Sequence, residues 1–183
     1  MFGEKVERAL RAAVEAHQDQ FRKGLDGVPY VTHPMHVALI LARRGMDEDL
    51  IVAGLLHDVV EDSEVWTLER VAAEFGQHVK SIVEQLTEDR SQTWEERKRA
   101  AIDKVPRMSP EAASVKAVDK LHNLQTLLSD LRAAAVEALP DVLLVEALCG
   151  RIEPALGRAL RAAQAAVAQL ATADPRPSQP QRV

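Results

Sequence analysis

The stretch LIVAGLLHDVVED, residues 50–62, constrains the fold more than any other. Asp47, Glu48 and Asp49 precede it, and acids in a first turn suit the positive end of a helix dipole. The pattern predicts a helix from there to about residue 61. This helix is apolar nearly all round, so it must lie inside a shell of other elements. Composition says what the shell is made of. Aromatic residues are only 3% of the chain, while Ala and Leu are plentiful. That mixture favours helices packed through small side chains over a sheet, which would draw on Val, Ile, Tyr and Phe.

Further helices are expected along nearly the whole chain. The first covers about residues 4–19, with Val6, Leu10, Ala13, Val14 and His17 at helical spacing. RKGLDGVPYVTHP interrupts it with Gly24, Gly27, Pro29 and Pro34. Pro34 suits the first turn of a second helix over 34–45, closed by Gly45. Thr67 caps LERVAAEF, and Gly76 separates that helix from QHVKSIVEQLT. Helices are also expected over 93–105, 110–130 and 133–149, and again from residue 155 after the CGRIEP break. Residues 174–183, DPRPSQPQRV, read as a disordered tail. The economical reading is one all-α domain over residues 1–173.

With 183 residues the chain can bury a sizeable core. Its formal charge of −5 makes it a poor general partner for nucleic acid, which is held by clustered Lys and Arg. The mixed-sign run EERKRAAIDK reads as a solvated helix face. The single Cys149 excludes an internal disulfide and a thiolate zinc cluster. The N-terminus is charged where a signal peptide is apolar, and no 18-residue apolar run occurs. The expectation is therefore a cytoplasmic protein off the membrane.

The buried helix ends oddly. His57, Asp58, Glu61 and Asp62 fall within six positions, at a C-terminus whose dipole opposes acids. Burial and mutual repulsion add to that cost unless a cation sits there. Two other stretches offer partners. In PYVTHP, His33 precedes Pro34, and that favours an extended backbone at His33. In VKAVDKLHNLQTL, Asp119, Asn123 and Thr126 fall at i, i+4 and i+7, a polar stripe on an otherwise apolar helix. His33, His57, Asp58 and Asp119 thus offer two imidazoles and two carboxylates to one ion. Mixed N and O ligation suits Mn²⁺, Fe²⁺ or Mg²⁺, with roughly two octahedral positions left for water or substrate.

THP, LLHDVVED and VDKLHN, in that order, resemble the HD superfamily of metal-dependent phosphohydrolases. The longer stretches QFRKGLDGVPYVTHP, GLLHDVVEDSEV and KAVDKLHNLQTL resemble the hydrolase domain of the RelA/SpoT family, in its small stand-alone form. The resemblance covers about residues 5–165. It implies a helical HD-domain bundle with a metal site in its central cleft. It implies Mn²⁺ held by His33, His57, Asp58 and Asp119, with Glu61 and Asp62 as the catalytic acids. Arg22, Lys23, Asn123 and Thr126 match positions lining the nucleotide pocket. The implied reaction removes the 3′-pyrophosphate of ppGpp or pppGpp, leaving GDP or GTP. Arg22 has two readings, a forked contact on phosphate and a stack on guanine. The chain departs from the family at Gln125, where Arg is frequent, and in a loop longer than that of the long bacterial enzymes.

Two other readings remain open from sequence. One is an HD phosphohydrolase of another nucleotide, such as the 2′-phosphate of NADPH or an adenine alarmone. The other is a non-catalytic alarmone-binding module, against which the Glu61–Asp62 pair argues. The remaining candidates receive plainer expectations. His17 packs in the core or behind a ligand, His36 packs, His78 is exposed, and Tyr30 braces the loop beside His33. His122 supports a phosphate or packs. Trp66 and Trp94 serve helix packing or lie at the surface.

Overall fold

The computed structural model describes residues 3–22, 27–129 and 154–173, together with Leu148 and Arg151. Among these residues there is no strand; the secondary structure is helical, apart from one isolated bridge between Phe21 and Pro29. The helices are α1 (Glu4–Ala16), α2 (Thr32–Arg43), α3 (Glu48–Leu56), α4 (Val59–Asp62), α5 (Leu68–Phe75), α6 (Gln77–Leu86), α7 (Trp94–Lys104), α8 (Pro110–Ser129) and α9 (Pro154–Ala173). A short 3₁₀ turn, Val105–Arg107, joins α7 to the approach of α8. The expected helix over 133–149, with Cys149, lies outside the described residues except for the buried Leu148, and so does the tail 174–183.

α3 is the axis of the bundle, as its all-round apolarity requires. Asp47 caps it by accepting the Leu50 amide at 2.9 Å, and every residue from Leu50 to Leu56 is buried. α1, α2, α6 and α8 pack on it. The approach of α2 is close enough to need a glycine: a Cβ on Gly54 would lie 2.6 Å from Leu41 Cδ1 and 3.3 Å from Val37 Cγ1. α1 meets α3 through Ala9, Ala12, Ala13 and Ala16, whose small side chains let the two axes come together. α8 presents Val115, Val118, Leu121 and Leu124 to the interior. Each fully buried Leu of this core contributes about 1.5–3 kcal/mol by leaving water.

Several boundaries differ from expectation, each for a physical reason. α1 ends at Ala16, with His17 as its C-cap and Asp19 in the left-handed region (φ 62°). Val14 is 52% exposed, because the alanine face and not the branched residues turns inward. α2 begins at Thr32, so His33 is helical and not extended. Pro34 is the third residue of α2, where an amide has no intrahelical partner to lose. The bias on the residue before proline is overcome by a turn in which the His33 amide donates to Tyr30 O at 2.8 Å. The helix expected over 47–61 is two: α3 stops at Leu56, and α4 begins after Asp58. α5, α6 and α7 lie close to expectation, and Thr93 and Glu96 form a capping box at the start of α7.

Candidate metal centre and active site

The break between α3 and α4 does something a continuous helix cannot. Consecutive helical residues point about 100° apart. Here His57 and Asp58 turn to the same point, with Nε2 and Oδ2 3.1 Å apart. His33 arrives from the first turn of α2, its Nε2 3.3 Å from His57 Nε2 and 3.8 Å from Asp58 Oδ2. Asp119 arrives from the middle of α8, its Oδ1 3.2 Å from His33 Nε2. Donor atoms of His33, His57 and Asp58 all lie within 4.8 Å of one another, close enough to share one metal ion. The structure thus groups three of the four sequence-predicted ligands around one point and places the fourth, Asp119, in contact with His33.

Each of the four has a further hydrogen-bond partner, the imidazoles through the nitrogen turned away from the cluster and the carboxylates through the oxygen that faces it. His57 Nδ1 lies 2.8 Å from Gly54 O, one of the last carbonyls of α3, which lack a helical partner. A carbonyl only accepts, so Nδ1 carries a proton and Nε2 is the nitrogen turned to the cluster. The Tyr30 hydroxyl donates to Asp58 Oδ2 at 2.7 Å, and the Asn123 amide donates to Asp119 Oδ1 at 2.7 Å. Tyr30 itself is placed by its backbone N–H, which donates to Gln20 O at 2.8 Å beside the Phe21–Pro29 bridge. His33 Nδ1 lies 2.7 Å from His122 Nδ1.

The charges favour a cation. Burial works to raise the pKa of Asp119, but the ammonium groups of Lys120 and Lys116 and the His33 contact hold it well below the usual carboxylate range. Burial also opposes ionisation of Asp58, and His57 overrides it, holding that carboxyl low. Burial opposes protonation of His57, yet Asp58 and Asp119 raise it to about 9. Burial lowers His33. Two ionised carboxylates, one buried and one half-buried, therefore draw positive charge to the His57 imidazole while His33 stays neutral. A divalent ion meets that demand, and the imidazole and carboxylate donors suit one of borderline-to-hard character.

Glu61 and Asp62 stand beside this cluster on the single turn of α4, and they face different partners. Glu61 Oε1 accepts the backbone amide of Glu88 at 2.8 Å. Burial first, and then the charge of Asp58, pushes its pKa up to about 7. Asp62 pairs with Arg90, and its Oδ2 lies 3.5 Å from His17 Nδ1. α3 ends at Leu56, before both pairs, yet the Asp62 amide donates to Asp58 O at 3.0 Å, so Asp58 and Asp62 stand one turn apart on α4 while their carboxylates take different partners.

The polar stripe of α8 does face the site. Arg22 Nη2 donates to Asn123 Oδ1 at 3.2 Å and to Thr126 Oγ1 at 3.4 Å, and its guanidinium lies over the Tyr30 ring. Lys23 lies outside the described residues, and Gln125 is exposed.

Four features escaped the sequence reading. Part of EERKRAAIDK is not a solvated face: Lys98 Nζ lies 3.5 Å and Arg97 Nη1 4.0 Å from Glu88 Oε2. Lys116 is buried between Glu88 and Asp119; its place three residues before Asp119 was the available signal. The Tyr30 hydroxyl reaches Asp58 and does more than brace a loop. His36 is exposed and meets His122 instead of packing. His17 and Trp66 are buried, Trp66 donating to Glu15 Oε2 at 3.2 Å, while His78 and Trp94 are exposed. No helix among the described residues is long and apolar enough to cross a membrane.

Comparison with known proteins agrees with this architecture. An HD-domain family model matches residues 9–142, a span that includes all four clustered residues. The chain is 41% identical over 130 residues to human guanosine-3′,5′-bis(diphosphate) 3′-pyrophosphohydrolase MESH1, covering 68% of this chain and 72% of that one. It is 36% identical over 129 residues to the Aquifex aeolicus guanosine-3′,5′-bis(diphosphate) 3′-pyrophosphohydrolase, covering 68% of this chain and 18% of that longer one. A solved structure described as a metazoan orthologue of SpoT that hydrolyses ppGpp superposes with a TM-score of 0.81 at 31% identity, over 88% of this chain and 94% of that one. Fold, motif order and identity converge, and the chain belongs to the HD-domain family, in the branch that contains the metazoan SpoT homologues.

Proposed function

We propose that residues 1–173 form a Mn²⁺-dependent hydrolase that removes the 3′-pyrophosphate of ppGpp and pppGpp, releasing GDP or GTP and pyrophosphate. The observation that carries this reading is the grouping of His33, His57 and Asp58 close enough to share one ion, with Asp119 in contact with His33, in a chain 41% identical to a named pyrophosphohydrolase of this specificity. When bound, the metal would lower the pKa of a water and offset charge on the phosphoryl oxygens.

The chain's own residues supply the remainder. Glu61, with a pKa near neutrality, suits the general base that takes a proton from the attacking water. Asp62, held by Arg90 and placed near His17, keeps α4 docked and adds a second acceptor. Water oxygen bonds to the phosphorus next to O3′, the O3′–P bond breaks, and O3′ leaves with a proton. Arg22, Lys23, Asn123 and Thr126 are assigned to the nucleotide. Arg22 already lies against Asn123 and Thr126, so a phosphate or a base edge would exchange for an existing contact.

Purified protein incubated with ppGpp and Mn²⁺ should release GDP and pyrophosphate in equal amounts. NADPH and adenine alarmones in parallel reactions test the other nucleotide readings. Bound metal without turnover of ppGpp would overturn the proposal, and tight ppGpp binding with no product would favour the binding module.

A further inference from the structure

His33 is anchored differently from His57. Its Nε2 faces Asp119 Oδ1 at 3.2 Å and His57 Nε2 at 3.3 Å, so this nitrogen belongs to the cluster. Its Nδ1 meets His122 Nδ1 at 2.7 Å, and the other nitrogen of His122 meets His36 Nδ1 at 2.9 Å. The ring centroids are 4.9 Å and 4.8 Å apart. His36 is exposed, His122 half-buried and His33 buried, so three imidazoles run in line from solvent to the cluster.

A neutral imidazole carries one N–H and one lone pair, and each ring contact needs one of each. The line therefore has only two consistent polarities. If His33 offers its Nε2 lone pair to a metal, its proton sits on Nδ1 and donates to His122 Nδ1. His122 then holds its proton on Nε2 and donates to His36 Nδ1. If His33 instead protonates Nε2 towards Asp119, all three tautomers reverse. His57 has no such alternative, because a carbonyl cannot donate.

We infer that His122 and His36 are positioning residues that set the tautomer of His33, making metal affinity depend on an imidazole outside the ligand set. This rests on the reading of His33 as a metal ligand through Nε2. A group that accepts the remote N–H of a ligating histidine fixes its ring and raises its basicity, and losing such a group costs about 10–100-fold in metal affinity. α8 thereby serves the centre twice, through Asp119 and, one turn on, through His122.

The test measures Mn²⁺ affinity directly, from the electron paramagnetic resonance signal of free Mn²⁺, without reference to turnover. His122→Ala should weaken binding about 10–100-fold. His122→Asn places an amide oxygen near the lost Nδ1 and should recover most of that affinity. His36→Ala, one ring further out, should weaken binding about threefold. In wild-type protein carrying one equivalent of Zn²⁺ as a diamagnetic probe, nitrogen-15 NMR of the imidazoles should find the proton on Nδ1 of His33 and on Nε2 of His122. Wild-type affinity in His122→Ala, no recovery in His122→Asn, or an Nδ1 proton on His122 in the loaded protein would each overturn the inference while leaving the metal site standing. A wild type that binds no Mn²⁺ removes the metal site and this inference together. Should His122→Ala fail to fold, His122→Asn, His36→Ala and the wild-type tautomers still decide.

Discussion

The two flanks of the site are built to different standards. On one flank His33, His57, Asp58 and Asp119 come from α2, the α3–α4 junction and α8, elements that pack directly on one another through the core. Both histidines and Asp119 are buried, and each of the four has a hydrogen-bond partner outside the set within 2.8 Å. On the other flank Glu61 and Asp62 ride on a single helical turn. Their partners are a loop amide at Glu88, the exposed Arg90 and the buried His17. The first flank holds donor atoms at fixed separations, as a metal requires. The second rests on a single turn with one exposed partner, Arg90, which suits the proposed part of Glu61 and Asp62 in handling water.

That contrast can be broken by substitution. Asp58→Ala removes a donor atom and leaves the buried imidazoles without their counter-charge. Mn²⁺ content should fall to background and ppGpp turnover by on the order of 10⁴-fold, measured by metal analysis and product release. Glu61→Gln should keep its Mn²⁺ and its nucleotide affinity while kcat falls about 10²–10⁴-fold, the usual contribution of a general base. Loss of metal in that variant would merge the two flanks into one. Tyr30→Phe deletes only the donor to Asp58 and should weaken Mn²⁺ binding about 10-fold, read by titration. Arg90→Ala should produce the smallest change. Its side chain is more than half exposed, so kcat/KM should fall about threefold with Mn²⁺ affinity unchanged.

Much of the first flank was legible in the sequence. An apolar helix with a His-Asp pair at its end, a His before a Pro, and a polar stripe on α8 each leave a local mark. The α5 and α6 boundaries were legible because Thr67 and Gly76 are caps with one structural meaning. What failed depended on long-range partners. The α3–α4 break leaves no Gly or Pro in the sequence; it is imposed by tertiary contacts that turn two neighbouring residues to one centre. Glu88 reaches Glu61 across 27 positions and Lys116 across 28, and no periodicity marks such pairs. His36 looked like packing because helical spacing records the face a residue occupies, not the ring that approaches it from α8.

The carbonyl of Gly54 has a wider consequence. It sits in the last turn of α3 and receives the imidazole of His57. Were α3 to wind on by one more turn, the peptide N–H of Asp58 would compete for that oxygen, and the ring would lose its tether. Ending the helix and aiming the imidazole are thus one conformational event. Selection for a longer, more regular rod at this junction would disarm the protein while leaving it folded.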